Sequence, residues 1–128
     1  MPEKETVQRA RKLKREGKAP GTQAGEFVRE EMEHIREGKH GARSTKQAIA
    51  IGLSKARRSG VKLSPPRKGQ ASSRTRKQAV RDLQRSKSGR KASPSRSRAT
   101  LRALKREGRS AASRSALSRQ ARTSRRKR

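Results

Sequence analysis

The sequence predicts a mostly α protein: a small helical hairpin with a long, largely disordered basic tail that carries weak helices. Three observations predict it. Large apolar side chains are few and clustered, because Met1 aside there are sixteen, and nine of them (Phe27, Val28, Met32, Ile35, Ile49, Ile51, Leu53, Val61 and Leu63) lie between positions 27 and 63. Charge is unevenly placed: residues 1–37 hold 9 Lys or Arg against 8 Glu, whereas residues 38–128 hold 30 against Asp82 and Glu107 alone. Low hydrophobicity with high net charge cannot offset the entropy of ordering a chain, so the region after the apolar cluster is expected to stay unfolded on its own. The organisation that follows is a basic N-terminal segment at 1–22, the hairpin at 23–58 and the cationic tail at 59–128.

Each element has its own reason. Val7, Ala10 and Leu13 form a thin stripe three residues apart, and Gly17 is placed to close a weak helix there. Thr22 is the expected cap of the next helix, in which Ala24, Phe27, Val28, Met32 and Ile35 share one face and Glu26, Glu30, Glu31, Glu33 and Glu37 take the opposite, solvated one. Gly38 marks its end. Ser44 and Gln47 have capping-box spacing, and the helix they start puts Ala48, Ile49, Gly52, Leu53 and Ala56 on one face, small enough for a neighbour to approach closely. Ile49, Ile51 and Leu53 also alternate as in a strand, but Ala and Lys favour helix and the caps agree with it.

From Gly60 onward the text is rich in Pro, Ser and Arg, as in linkers and tails. Weak helical pieces remain. One has a Thr75/Gln78 capping box with Ala79, Val80 and Leu83 on a face, and others carry Leu101 with Leu104 and Leu117 with Ala121. Leu-Lys-Arg-Glu-Gly occurs at 13–17 and again at 104–108, and Lys-Gln-Ala followed by Ile or Val occurs at 46–49 and 77–80. Chance repetition in a biased alphabet competes with a string of short basic helices able to form along a polyanion.

The formal net charge of +29 points to a polyanionic partner, with duplex DNA first and RNA as the alternative. A membrane surface fits poorly, because no apolar anchoring face accompanies the charges. The expected phosphate contacts are Lys46, Lys55, Arg57, Arg58, Lys62, Arg67, Lys68, Arg74, Arg76, Lys77, Arg96, Arg98, Arg102, Lys105, Arg106, Arg125, Arg126, Lys127 and Arg128. Arg forks hold two phosphate oxygens at once and Lys acts as a mobile point charge. With one Phe and no Tyr or Trp, the chain lacks the stacking platforms that grip single-stranded bases. Ser64-Pro65-Pro66-Arg67 and Ser93-Pro94-Ser95-Arg96 have the form of Ser-Pro-x-Arg turns that lie along narrow minor grooves, with an ordinary linker as the competing reading.

Catalysis finds no support, since there is no Gly-rich phosphate loop and no serine beside a fixed base. His34 and His40 lack other convincing ligands, so neither a metal nor any other cofactor is expected. The chain has no cysteine and no apolar run long enough for a signal peptide or a spanning helix, which leads to the expectation of a soluble cytoplasmic protein located at the nucleoid.

Residues 25–61, GEFVREEMEHIREGKHGARSTKQAIAIGLSKARRSGV, resemble a family of short, basic bacterial proteins of unknown function. Its hallmark is a Ser/Thr-Lys-Gln-Ala-Ile-Ala-Ile-Ala/Gly-Leu-Ser segment, here Ser44 to Ser54. The resemblance implies a bacterial origin and a helical segment, and brings no catalytic residues. The tail resembles histone-like cationic tails in composition only. The resulting expectation is a non-enzymatic, largely sequence-independent DNA-binding protein that compacts DNA, with self-association through the hairpin as a further expectation and an RNA-binding or ribosome-associated protein as the alternative.

Overall fold

A computed structural model describes residues 3–68, 71–88 and 93–126. Among them are six helices, α1 (Lys4–Arg15), α2 (Pro20–Arg36), α3 (Thr45–Arg58), α4 (Ser73–Ser88), α5 (Pro94–Lys105) and α6 (Arg114–Arg126), with a 3-10 turn at Ser110–Ala112 and no strand. The fold is mostly α, and the alternating Ile49, Ile51 and Leu53 lie within α3. The chain divides into two compact units, Met1–Glu30 with Gly52–Lys91 and Glu31–Ile51 with Ala92–Arg128. Helices α2 and α3 contribute residues to each.

The core of the first unit is Ala10, Ala24, Phe27, Ala56 and Val61, with Val7, Leu53 and Leu63 packed against it. The thin stripe of α1 is thus stabilised by burial, which a helix this short and this narrow in its apolar face needs. Glycine at position 52 allows α2 and α3 to approach closely: a Cβ there would lie 2.7 Å from Val28 Cα and 2.9 Å from its backbone nitrogen. Helix α2 starts at Pro20, two residues before the Thr22 expected as its cap. Proline suits the first helical position, where its missing N–H has no intrahelical partner to lose.

The acids of α2 also differ from expectation. Glu30 is 2% exposed and Glu31 is fully buried, rather than both facing solvent. Glu30 Oε1 accepts from the Glu3 backbone N–H at 2.6 Å and from the Thr6 hydroxyl at 3.0 Å, and Arg9 pairs with Glu26 at 3.0 Å. Carboxylates therefore tie α1 to α2 where side-chain hydrocarbon is scarce.

The largest departure comes after residue 59, where α4, α5 and α6 stand in the region read as a disordered tail. Fully buried large apolar side chains do not hold them; Val80 and Leu101 are 44% and 42% exposed, Leu83, Leu104 and Leu117 are half-buried, and α5 buries no residue. Alanines and polar anchors do. In the first unit, Ala79 and Asp82 of α4 are buried. Asp82 accepts from the Ser54 hydroxyl of α3 at 2.6 Å and from Gln78 at 3.1 Å, with Arg58 Nε 3.7 Å away. In the second unit, the turn after α2 meets the end of α5 through backbone hydrogen bonds from Gly41 N to Leu104 O (2.8 Å) and from Ala42 N to Gly108 O (3.0 Å). Thr45 Oγ1 donates to Ala111 O at 2.5 Å and Arg36 Nε to Ala112 O at 3.1 Å, beside the buried Ala111 and Ala112. Each bond satisfies a buried polar group whose loss of water is otherwise costly.

Serines that read as linker composition act as helix caps. The hydroxyls of Ser44, Ser72, Ser93 and Ser113 accept from the backbone N–H three residues on, at 3.1, 3.2, 3.3 and 3.2 Å. Ser72, not Thr75, caps α4, and Gln78 is engaged with Asp82 instead. The Ser93-Pro94 pair is the cap and first residue of α5, not a tail turn. The two Leu-Lys-Arg-Glu-Gly words also diverge: Gly17 has φ 78° and closes α1, whereas Gly108 is not among the positive-φ glycines.

Gly52→Ala is expected to lower stability despite its better helix propensity. The gain is about 1 kcal/mol, whereas overpacking against backbone that cannot swing aside costs about 1–3 kcal/mol; a melting temperature equal to or above that of the parent chain would refute the close approach. Asp82→Asn is expected to cost about 1–3 kcal/mol through its unsatisfied neighbours, read by thermal unfolding, with loss of α4 protection in hydrogen exchange.

Candidate nucleic-acid interface

The site residues fall into two groups by what their side chains touch. Arg57 is buried, with its Nε donating to Leu63 O at 3.2 Å and its NH2 group to Ser64 O at 3.1 Å. Burial lowers its pKa from the ordinary arginine value, and the nearby Asp82 charge opposes that shift. This guanidinium holds the extended 61–66 segment against α3. Arg58 donates to Ser54 O as well as approaching Asp82, and Arg76 Nε donates to Pro66 O at 3.1 Å. Lys55 is half-buried. The Lys55/Arg57/Arg58 group therefore belongs mainly to the packing of α3.

Arg58 is nonetheless exposed, and most of the other exposed cations lie on other elements. Helix α4 presents Arg74, Lys77 and Arg81 at intervals of three and four residues, so they share one face. Beside them runs a groove of ~680 Å³ floored by Pro65, Pro66 and Val80 and edged by Arg67, Arg76, Lys77 and Arg81. Lys62 and Lys68 are exposed on the segment before it, and Lys46 on the first turn of α3. Helix α5 exposes Arg96, Arg98, Arg102 and Lys105, and Arg106 follows them at its C-cap. On α6, Arg114, Arg119, Arg122 and Arg125 are exposed, and Arg119 and Arg122 bond to Ser115 and Ser118 one turn before them. Arg126 ends this helix, but its side chain, like Lys127 and Arg128, lies outside the described residues.

Arg81, Arg114, Arg119 and Arg122 are exposed cations on these helices that sequence reasoning passed over. For Arg81, Arg119 and Arg122 the signal was the three- and four-residue spacing to the next basic residue within the helix (Lys77 to Arg81, Arg119 to Arg122 to Arg125), which is invisible when the region is read as a flexible polycation.

The carboxylates matter as much as the cations. After residue 37 the chain has two, of which Asp82 is 1% exposed and Glu107 is half-buried. Among the described residues no exposed acid interrupts the outward faces of α4, α5 or α6. The one phenyl ring, that of Phe27, is 1% exposed and offers no surface for base stacking. Each face can therefore meet phosphate oxygens through charge-assisted hydrogen bonds, with no group placed to read bases by stacking. No described helix is long and apolar enough to cross a membrane.

Residues 17–69 match the model of a family of unknown function (DUF6496). This match spans α2, α3 and the segment up to the edge of the groove, less than half of the chain. Comparison with curated proteins and with solved structures found no match.

The division between packed and exposed cations is open to a direct comparison. Arg57→Gln is expected to cost about 1–3 kcal/mol, because the Leu63 and Ser64 carbonyls lose a charged donor held by a buried side chain, whereas Lys77→Gln is expected to leave the melting temperature unchanged. Equal effects of the two substitutions on thermal unfolding would contradict the division.

Proposed function

We propose that the protein binds duplex DNA through phosphate contacts, largely without regard to sequence, and acts at the nucleoid as a DNA-compacting protein rather than as an enzyme. The observation that carries this reading is the set of cationic faces on α4, α5 and α6 from which every acid is withdrawn. A net +29 chain gains binding energy from released counterions whatever the base sequence. Helices supply what a flexible polycation lacks: basic side chains whose Cβ atoms stand about 5–6 Å apart on a fixed face, so that several phosphates are met without ordering each side chain's backbone anew. With its basic helices distributed over two units, one molecule has more than one surface with which to hold DNA, and bridging follows from that number. The absence of an exposed phenyl, phenol or indole ring favours duplex over single strands.

Binding to equal-length duplex DNA and duplex RNA, measured from low to high salt, tests the reading. Full-length protein is expected to bind DNA at least as tightly as RNA, with a steep log-log salt slope. The triple variant Arg74→Gln, Lys77→Gln, Arg81→Gln is expected to remain folded and to flatten that slope by about 0.9 for each phosphate it no longer neutralises, with equal weakening across unrelated DNA sequences. A clear preference for RNA would transfer the protein to the ribosome-associated reading, and an unchanged slope would remove α4 from the interface.

A further inference from the structure

We propose that Glu31, His34 and His40 form a binding site for a divalent transition metal of the zinc class. The site is independent of the DNA-binding reading. It is assembled by local chain geometry in three steps. Glu31 and His34 are three residues apart on α2 and so lie on the same face. Gly38, with φ 79°, closes the helix: its N–H donates to Ile35 O and that of Lys39 to His34 O at 2.9 Å. The reversed chain then returns His40 to the same face. One donor atom from each of the three side chains lies within 4.8 Å of the others, with Glu31 and His40 buried and His34 half-buried. The two imidazoles meet edge to face, their centroids 6.0 Å apart.

Proton accounting at His40 identifies what the cluster needs. His40 Nδ1 lies 2.9 Å from Gly41 O, and a carbonyl only accepts, so this nitrogen carries the hydrogen. In the neutral ring, Nε2 then presents a lone pair. It faces Glu31 Oε2 at 3.1 Å, with the two side chains 6% and 0% exposed. Two lone pairs at that distance in a buried setting require a positive centre between or beside them, either a proton or a metal ion. Zinc bonds of about 2.0–2.2 Å to nitrogen and oxygen at tetrahedral angles place two donors roughly 3.3–3.6 Å apart, so the 3.1 Å between His40 Nε2 and Glu31 Oε2 needs only a small opening of the pair to seat the ion. The Nδ1–H to backbone carbonyl bond is also the device that fixes the orientation and tautomer of a metal-bound histidine.

Two imidazoles and one carboxylate select zinc, cobalt or nickel over magnesium and calcium, which prefer all-oxygen shells. Three protein donors leave a fourth position for water or a ligand atom. A metal here ties the 37–43 turn to α2, and that turn is the one whose Gly41 and Ala42 bond to the end of α5. Loading therefore stabilises the second unit by mass action.

The chain contains two histidines and no cysteine, so every imidazole–metal signal from the untagged protein reports this site. Full-length, metal-free protein is titrated with Zn²⁺ and, separately, with Co²⁺. The expected result is saturable one-to-one binding, a visible Co²⁺ absorption band of low coordination number, and a melting temperature that rises with Zn²⁺ concentration. His34→Gln, at the most exposed of the three ligands, is expected to stay folded by circular dichroism, to abolish the Co²⁺ band and to weaken Zn²⁺ by about tenfold or more. His40→Gln provides a second reading wherever it folds. Absence of saturable binding to the parent protein would overturn the site, leaving a proton shared by His40 and Glu31 in its place. Zn²⁺ affinity and a Co²⁺ band unchanged in folded His34→Gln would overturn it equally.

Discussion

Self-repulsion is the constraint under which this chain folds. With 39 Lys and Arg against 10 acids, every step of compaction brings like charges together, and the favourable terms that remain must come from very few side chains. The acids answer by position rather than by number. Glu30, Glu31 and Asp82 are buried; Glu30 and Asp82 accept from donors on the start of α1 and on α3, and Glu31 faces His40 in the turn after α2. A carboxylate in such a place neutralises nearby positive charge, fixes a register and satisfies hydroxyl or amide donors together. Truncating one partner of a buried pair leaves the other charge stranded, so these contacts specify the arrangement more strongly than their net energies imply.

What could be read from the sequence follows from the same constraint. Helices α2 and α3 were legible because Phe27, Met32, Ile35, Ala48 and Ala56 recur at helical spacing and because Gly38 and Ser44 mark the boundaries between them. After Gly60 the helical pieces around Leu83, Leu101 and Leu117 were legible as weak helices, but their packing was not, because a count of large apolar side chains weighs neither alanines nor backbone groups. Ala79, Ala111 and Ala112 are buried there, and the carbonyls of Leu104, Gly108, Ala111 and Ala112 accept hydrogen bonds from residues 36–45. Serine carried a second ambiguity: the same residue signals a linker by composition and a helix start by hydrogen bonding, and only the position of the following N–H decides.

The cationic residues were legible as a class but not as a geometry. Composition placed the positive charge after residue 37, yet it did not distinguish Arg57, whose buried guanidinium bonds Leu63 and Ser64, from the exposed Arg81 and Arg122. An arginine inside a structure and one outside it are identical in a list. Helical periodicity separates them, because residues that share a face with Ala79 and Asp82 turn inward and those on the opposite side turn out.

The replacement of large apolar side chains by alanine and polar anchors has a thermodynamic consequence. Heat capacity of unfolding grows with exposed apolar area and falls with exposed polar area, at about 12–15 cal/mol/K per residue for an ordinary domain. A chain whose described interior is mostly alanine, with Phe27, Met32, Ile35 and Val61 as its buried large apolar side chains, releases less hydrocarbon per residue than an ordinary domain. Its curve of stability against temperature is therefore broad and shallow: it loses little on cooling, because it never depended heavily on the hydrophobic term that cooling weakens, and it unfolds gradually when heated.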